Sequence, residues 1–214
     1  MCGRFNRHHP AAEVGRRFGV TPLAAAGVAA YNIAPTQPVP VVIADVSRRM
    51  IICHWGLIPH WAPDDSMASR MINARAETLA EKPAFREPLA RRRCLVPADG
   101  FYEWPKKGAH AGQIIEVARA DGELMAMAGL WEEWRAADGT VRRTFTIITV
   151  EPNALMEQYH HRMPAILRRA DETVWLDPST DPAAARKLLR SYPDDDLVAH
   201  PVGRERLSRQ DDQG

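Results

Sequence analysis

Proline is the residue that most limits what this chain can build. Inside a helix it removes a donor and clashes with the preceding turn, and in a sheet it is confined to edges, strand starts and bulges. Seventeen prolines are spread along the 214 residues, so the chain is cut into short elements. Val39–Ala44, interrupted by Pro40, and Met50–Leu57 read as strands. Thr78–Arg92 mixes helical spacing with two prolines and reads as a broken helix. Cys94–Val96, Phe101–Trp104, Ile114–Ala118, Met125–Trp131 and Thr144–Val150 are strand candidates, separated by Gly, Asp and Pro clusters. Ala154–Tyr159 reads as a helix after Glu151-Pro152-Asn153, Ala165–Leu167 as a strand, and Asp171–Leu176 and Pro182–Arg190 as helices with acidic residues at or near their starts. Strands come first and helices gather late. That order predicts an α+β fold with a largely antiparallel sheet rather than alternating βαβ units.

The length suits a single domain, expected over residues 1–203, with a short polar tail over 204–214 that frays. Hydrophobic residues make up 45% and charged residues 26% of the chain, enough for a buried core and unlike a disordered chain. The longest apolar run, Leu23 to Tyr31, is far short of the ~18 residues that span a bilayer. The amino terminus lacks an apolar signal region, so no membrane contact is expected and a cytoplasmic location is. Three cysteines, Cys2, Cys53 and Cys94, form neither a disulfide framework nor a CxxC site, in keeping with a reducing compartment.

The net charge of +1 conceals an asymmetry. Residues 1–110 hold 15 Lys or Arg against 9 Asp or Glu, and residues 111–214 hold 13 against 18. Arginine supplies 24 of the 28 basic residues. Its planar fork suits phosphate oxygens, although a GC-rich genome favours the same residue. A basic half raises the case for nucleic acid without settling it.

Cys2 carries the most chemistry per residue. A small second residue permits removal of the initiator Met, which would leave Cys2 as the amino terminus. An α-amine of reference pKa about 7.7–8.0 and a thiol of about 8.5 would then sit on adjacent carbons. Such a thiol can attack an acyl carbon. Amine and thiol together can capture an aldehyde, the amine as a Schiff base and the thiol by closing a five-membered thiazolidine. A cysteine beside the start codon by chance is the plain alternative.

Six separated segments accompany it: Met1-Cys2-Gly3-Arg4-Phe5, Tyr31-Asn32-Ile33-Ala34-Pro35-Thr36, Trp55-Gly56-Leu57-Ile58-Pro59-His60-Trp61, Ile72-Asn73-Ala74-Arg75-Ala76-Glu77-Thr78, Gly100-Phe101-Tyr102-Glu103-Trp104 and His160-His161-Arg162-Met163-Pro164. In this order, from residue 1 to about Gly203, they resemble the SOS-response-associated peptidase family, the abasic-site processing proteins that crosslink to DNA. The resemblance implies a single α+β domain whose sheet is curved or barrel-like with peripheral helices. It implies removal of Met1 and a thiazolidine between Cys2 and the ring-opened aldehyde of an abasic site in single-stranded DNA. Autopeptidase and lyase-like activity would accompany it, in a monomer without cofactor or metal. Carried over position by position, the active residues are Cys2, Asn73, Glu103 and His160.

The chemistry asks for those residue types. Ring opening of the abasic sugar needs a proton moved, and imidazole exchanges protons near neutrality, which suits His160. Glu103, flanked by Tyr102 and Trp104, can serve as acid or base if apolar contact raises its pKa. Asn73 offers an uncharged donor and acceptor. Each also has a structural reading: His160 as a cation at a helix C-terminus, Glu103 on the outer face of a strand, Asn73 as the cap of a helix through Leu79. Arg4, Arg75 and Arg162 lie within two residues of these groups and are candidates for phosphate contact, or for internal salt bridges. Trp61 stands where the family places an aromatic wedge against the bases, although a core position fits it equally. Some relatives carry a second aromatic beside it, where this chain has Ala62.

Two other classes compete. An N-terminal nucleophile amidohydrolase also begins Met-Cys-Gly, but no Asn-Gly-Glu or Gly-His-x-Arg segment follows. A non-catalytic single-strand binder would account for the basic first half and the six tryptophans. A metal hydrolase using His8, His9, His160 and His161 is disfavoured, since adjacent histidines do not easily face one ion.

Overall fold

The computed structural model describes residues 2–23 and 29–208. Met1, the centre of the Leu23–Tyr31 run and the end of the tail therefore lie outside the described residues. Two sheets form the body. One has five strands in the order β12 (Leu197–Val202), β8 (Ile114–Arg119), β7 (Gly100–Glu103), β1 (Phe5–Arg7) and β2 (Ala30–Ile33). The other runs β11 (Met163–Pro164), β10 (Val141–Val150), β4 (Arg48–Trp55), β3 (Pro38–Ala44), β6 (Arg93–Ala98) and β9 (Met125–Arg135). Because β9 also pairs with β10, the run from β10 to β9 closes on itself as a small barrel. The curved, largely antiparallel α+β fold expected from the sequence is the fold observed.

The positions of the prolines explain the strand lengths. None falls between Pro105 and Pro152, and that interval holds the two longest strands, β9 and β10. Pro38 and Pro40 do not break β3, which pairs with β4 along its whole length. Residues two apart present their N–H to the same edge, so both missing donors fall on the other edge of β3. There the pairing with β6 is confined to Val42 opposite Leu95. Valine, isoleucine, leucine and methionine on β3, β4, β6, β9 and β10 fill the barrel, with Trp55, Phe145 and Phe5 stacked or edge-on among them.

Several expectations need correction. The sheet is largely antiparallel as expected, with two parallel pairings, β10 with β4 and β10 with the short β5 (Asn73–Arg75), that the sequence did not indicate. The broken helix resolves into a single 3₁₀ turn, Ala76–Thr78, and α2 (Pro83–Arg91), which carries Pro88 inside it. Pairing at the expected Ala165–Leu167 strand falls earlier, on β11, and leaves only an isolated bridge from Ile166 to Met127. Helices are not all late: α1 (Ala11–Phe18) buries Val14 and Phe18 and ends on Gly19 at φ 66°. The later helices α3 (Ala154–Glu157), α4 (Glu172–Leu176) and α5 (Pro182–Arg186) are shorter than expected. The tail does not fray from Gly203. Arg204–Ser208 forms α6, and Arg206 reaches back to Glu116 at 3.0 Å and over the Tyr31 ring.

Candidate active site

The site begins with pairing between β1 and β7. Phe5 lies opposite Phe101, and the Tyr102 amide donates to the Arg4 carbonyl at 2.9 Å, so the antiparallel ladder continues toward the amino terminus. That register sets Glu103 opposite the segment that holds Cys2. Cys2 is fully buried and its thiol lies 3.8 Å from the Arg4 carbonyl. Burial pushes the Cys2 thiol far above its usual range, and the Glu103 charge beside it pushes the same way. Glu103 is also buried, which raises its carboxyl pKa.

Asn73 arrives from the other sheet. Gly56 turns the chain out of β4 at φ 130°, where a Cβ would meet the Ala68 carbonyl at 2.5 Å, so only glycine fits. The buried Trp55 donates through its indole N–H to the Ile72 carbonyl at 2.8 Å and pins the backbone just before Asn73. Asn73 then opens β5 rather than capping a helix, and its Nδ2 donates to the Cys2 carbonyl at 2.9 Å.

His160 follows α3, whose Asn153 cap accepts from the Met156 amide. His160 Nδ1 faces the Arg162 backbone, 3.0 Å from its amide nitrogen and 3.2 Å from its carbonyl oxygen. Burial, assisted by neighbouring positive charge and by His161, lowers the His160 pKa to about 4. The expected proton exchange near pH 7 is therefore corrected: with its pKa lowered this far, the ring is uncharged at neutral pH. The Arg162 guanidinium is buried, pairs with both oxygens of Glu77 at 2.8 and 2.9 Å, and donates to the Thr149 carbonyl at 2.6 Å. Its geometry is that of an internal salt bridge, the alternative to phosphate contact left open by the sequence. Thr149 also pairs with Arg75 and with Pro164, so the end of β10 joins Asn73, Arg75 and the His160 loop.

Beside this cluster lies an open groove of about 1010 Å³. Arg75, Trp104, Lys106, Lys107, His160 and His161 line it, together with Glu151 and Glu157. Arg75, Lys106 and Lys107 are exposed and Trp104 is 39% exposed. The sequence reading missed Lys106 and Lys107, although a lysine pair directly after Glu103-Trp104 in a lysine-poor chain was a usable signal. It missed Glu77 as the partner of Arg162 for lack of any way to see the long-range contact.

Arg4 donates to Asn32 Oδ1 at 2.9 Å. Trp61 is 51% exposed, which removes the core position considered for it. Ala62 next to it is buried against Ile58 and Trp134, and its carbonyl accepts from the Trp134 indole at 2.8 Å. A small residue is what that spot accommodates, so a second aromatic has no room beneath the loop. The adjacent His8 and His9 do converge, contrary to expectation: both rings reach Asp99. Asp99 also accepts the His8 and His9 amides, and Arg206 lies 3.4 Å from His8 Nε2. Hydrogen bonds within the protein thus account for this carboxylate.

A family model described as SOS response associated peptidase (SRAP) matches residues 1–206. The abasic site processing protein YoqW of Bacillus subtilis is 42% identical over 206 residues, covering 94% of this chain and 92% of that protein. The chicken abasic site processing protein HMCES is 34% identical over 206 residues, covering 80% of this chain and 60% of its own length. A crystal structure of a Bacteroides thetaiotaomicron protein superposes with a TM-score of 0.89 at 28% identity, covering 98% of this chain and 95% of that one. Family model, relatives and fold agree, and the chain belongs to the SOS response associated peptidase family.

Proposed function

We propose that this protein processes abasic sites by binding them covalently in single-stranded DNA, through a thiazolidine formed by Cys2 once Met1 has been removed by the protein itself or by an aminopeptidase. The observation that carries the reading is the convergence of Cys2, Asn73 and Glu103: Asn73 holds the Cys2 carbonyl, and the register of β1 with β7 sets Glu103 opposite the segment that holds Cys2. It is supported by relatives named abasic site processing proteins.

The bonds balance as follows. The Cys2 amine adds to the aldehyde carbon of the open sugar, giving a carbinolamine. Loss of water leaves an imine. The thiol sulfur then adds to the same carbon while its proton passes to the nitrogen, closing the five-membered ring. Aldehyde and aminothiol thus yield thiazolidine and one water. In this order the amine acts first and the thiol closes the ring. Glu103, raised toward neutrality, can take a proton from the attacking amine and return it to the departing hydroxyl. Neutral His160 can hydrogen-bond the sugar as its anomeric hydroxyl proton passes to the ring oxygen and the ring opens to the aldehyde. Asn73 fixes the backbone that carries both nucleophiles. Arg75, Arg4 and the groove lysines face phosphates, and exposed Trp61 and Trp104 offer stacking worth roughly 1–3 kcal/mol per base. Arg162 acts through His160 and Glu77. The imine stage also permits β-elimination, the lyase-like side reaction.

The test is to incubate the protein with single-stranded and fully paired DNA carrying one abasic site and to resolve adducts on a denaturing gel. Adduct should form faster on the single strand, because exposing a paired sugar costs a few kcal/mol of unstacking. Salt-labile binding with no denaturant-resistant species would leave the non-catalytic binder as the correct class.

A further inference from the structure

Glu151, just past the end of β10, borders two cavities. One is the groove that holds His160. The other, of about 620 Å³, lies between the Ala76-Glu77 turn and the end of α5, where Arg186, Lys187 and Arg190 line it. Asp181 fixes α5 by accepting the Ala183 and Ala184 amides, and Ala185 is buried beneath it. Arg186 Nη2 lies 3.4 Å from the Glu77 carbonyl, while its Nε is buried without a partner. Lys187 is exposed, and the exposed Arg190 pairs with Asp171 at 3.2 Å. The acidic groups facing this space are Glu77 and Glu151. Glu77 is neutralised by Arg162, which holds its carboxyl below the usual range. With Glu77 paired to Arg162 and Arg190 paired to Asp171, Arg186 and Lys187 still outnumber Glu151, on a concave surface that shares Glu151 with the groove that holds His160.

We propose that this second cavity is a phosphodiester-binding track that carries the single strand beyond the lesion on one side, with Lys187 and Arg190 as its accessible cations and Arg186 as its anchored one. The proposal rests on the single-strand reading above and adds to it a direction: flanking nucleotides on one side of the abasic site are held, and those on the other are not held here.

The experiment uses three oligonucleotides carrying a tetrahydrofuran abasic analogue, with flanks on both sides, on the 5′ side only, or on the 3′ side only. Binding to wild type and to a Lys187→Gln/Arg190→Gln double variant is measured by anisotropy across a salt series. Arg186 is left intact because of its contact with the Glu77 backbone. The variant's log–log salt slope should fall by up to about 1.4, two phosphate contacts at ~0.7 each on a single strand. The fall should appear on the two-flank strand and on just one of the single-flank strands. Unchanged slopes on all three, or equal falls on both single-flank strands, would overturn the track. Adduct formation by wild type on a true abasic strand reads the underlying function separately, so a one-sided slope effect without any adduct would keep the track and reject the covalent reading.

Discussion

Glu103 and His160 sit in the same cluster, and burial moves their pKa values in opposite directions. A buried carboxyl is held toward its neutral form, and a buried imidazole is held neutral as well. The signs for stability follow. Glu103 binds its proton more tightly when folded, so its contribution is lost as pH rises from the ordinary carboxylate range through its raised pKa. His160 binds its proton less tightly when folded, so stability falls as pH drops from about 6.5 toward its folded value of about 4. Glu103→Gln should therefore slow crosslinking by roughly 10²–10⁴-fold. It should also raise the melting midpoint at neutral pH, because the raised carboxyl pKa makes the charged form less stable in the folded chain than in the unfolded one. A crosslinking rate like wild type, or a lower midpoint, would separate Glu103 from this role. The pH–rate profile should show no His160 limb near 6.5, and a limb there that disappears in His160→Ala would show the ring to be protonated in that range. The sequence carried the identities of these residues through their motifs. It did not carry their protonation, because desolvation depends on chains packed around them from distant segments.

At the scale of elements, β10 does most of the assembly. It meets β9, β4, β5 and β11 along its length, so Asn73, Arg75 and the His160 loop share one strand end. The run Thr144–Val150 marked most of β10 as a strand, but the parallel pairing that brings Asn73 to it joins segments about 70 residues apart and leaves no local pattern. The tail shows the same limit. Polar residues after Gly203 look like a frayed end, yet Arg206 completes a buried network in which Asn6 Nδ2 donates to Tyr102 and to Glu116, both at 2.8 Å, and Tyr102 donates to the Tyr31 carbonyl at 2.9 Å. That network ties β1 to β7, the pair that brings Cys2 to Glu103. Arg206→Ala should leave the nearly buried Glu116 short of its cation and cost about 2–3 kcal/mol. Chemical denaturation reads this directly, and a change under 0.5 kcal/mol would mean that α6 is not part of the folded unit.

For the whole molecule, the near-zero net charge matters less than where the charges lie. The acidic second half contributes many of its carboxylates to internal pairs, among them Glu172 with Arg17, Glu132 with Arg92 and Glu116 with Arg206. Arg75 and the two groove lysines have no ion pair among the described residues and border the same opening. Initial capture should accordingly be salt-sensitive, and Arg75→Ala should lower the salt slope on a single strand by about 0.7 while leaving the fold intact. An unchanged slope would return Arg75 to a structural role. The central claim concerns bond formation rather than binding, and the most direct measurement is intact mass under denaturing conditions after mixing the protein with an abasic single strand, without reductant. The expected species weighs one water less than the sum of the strand and the protein lacking Met1. Cys2→Ala should give almost none of it, yielding instead a borohydride-trappable imine. A stable adduct that retains Met1, or equal adduct from Cys2→Ala without reductant, would contradict the assignment of Cys2 as the nucleophile.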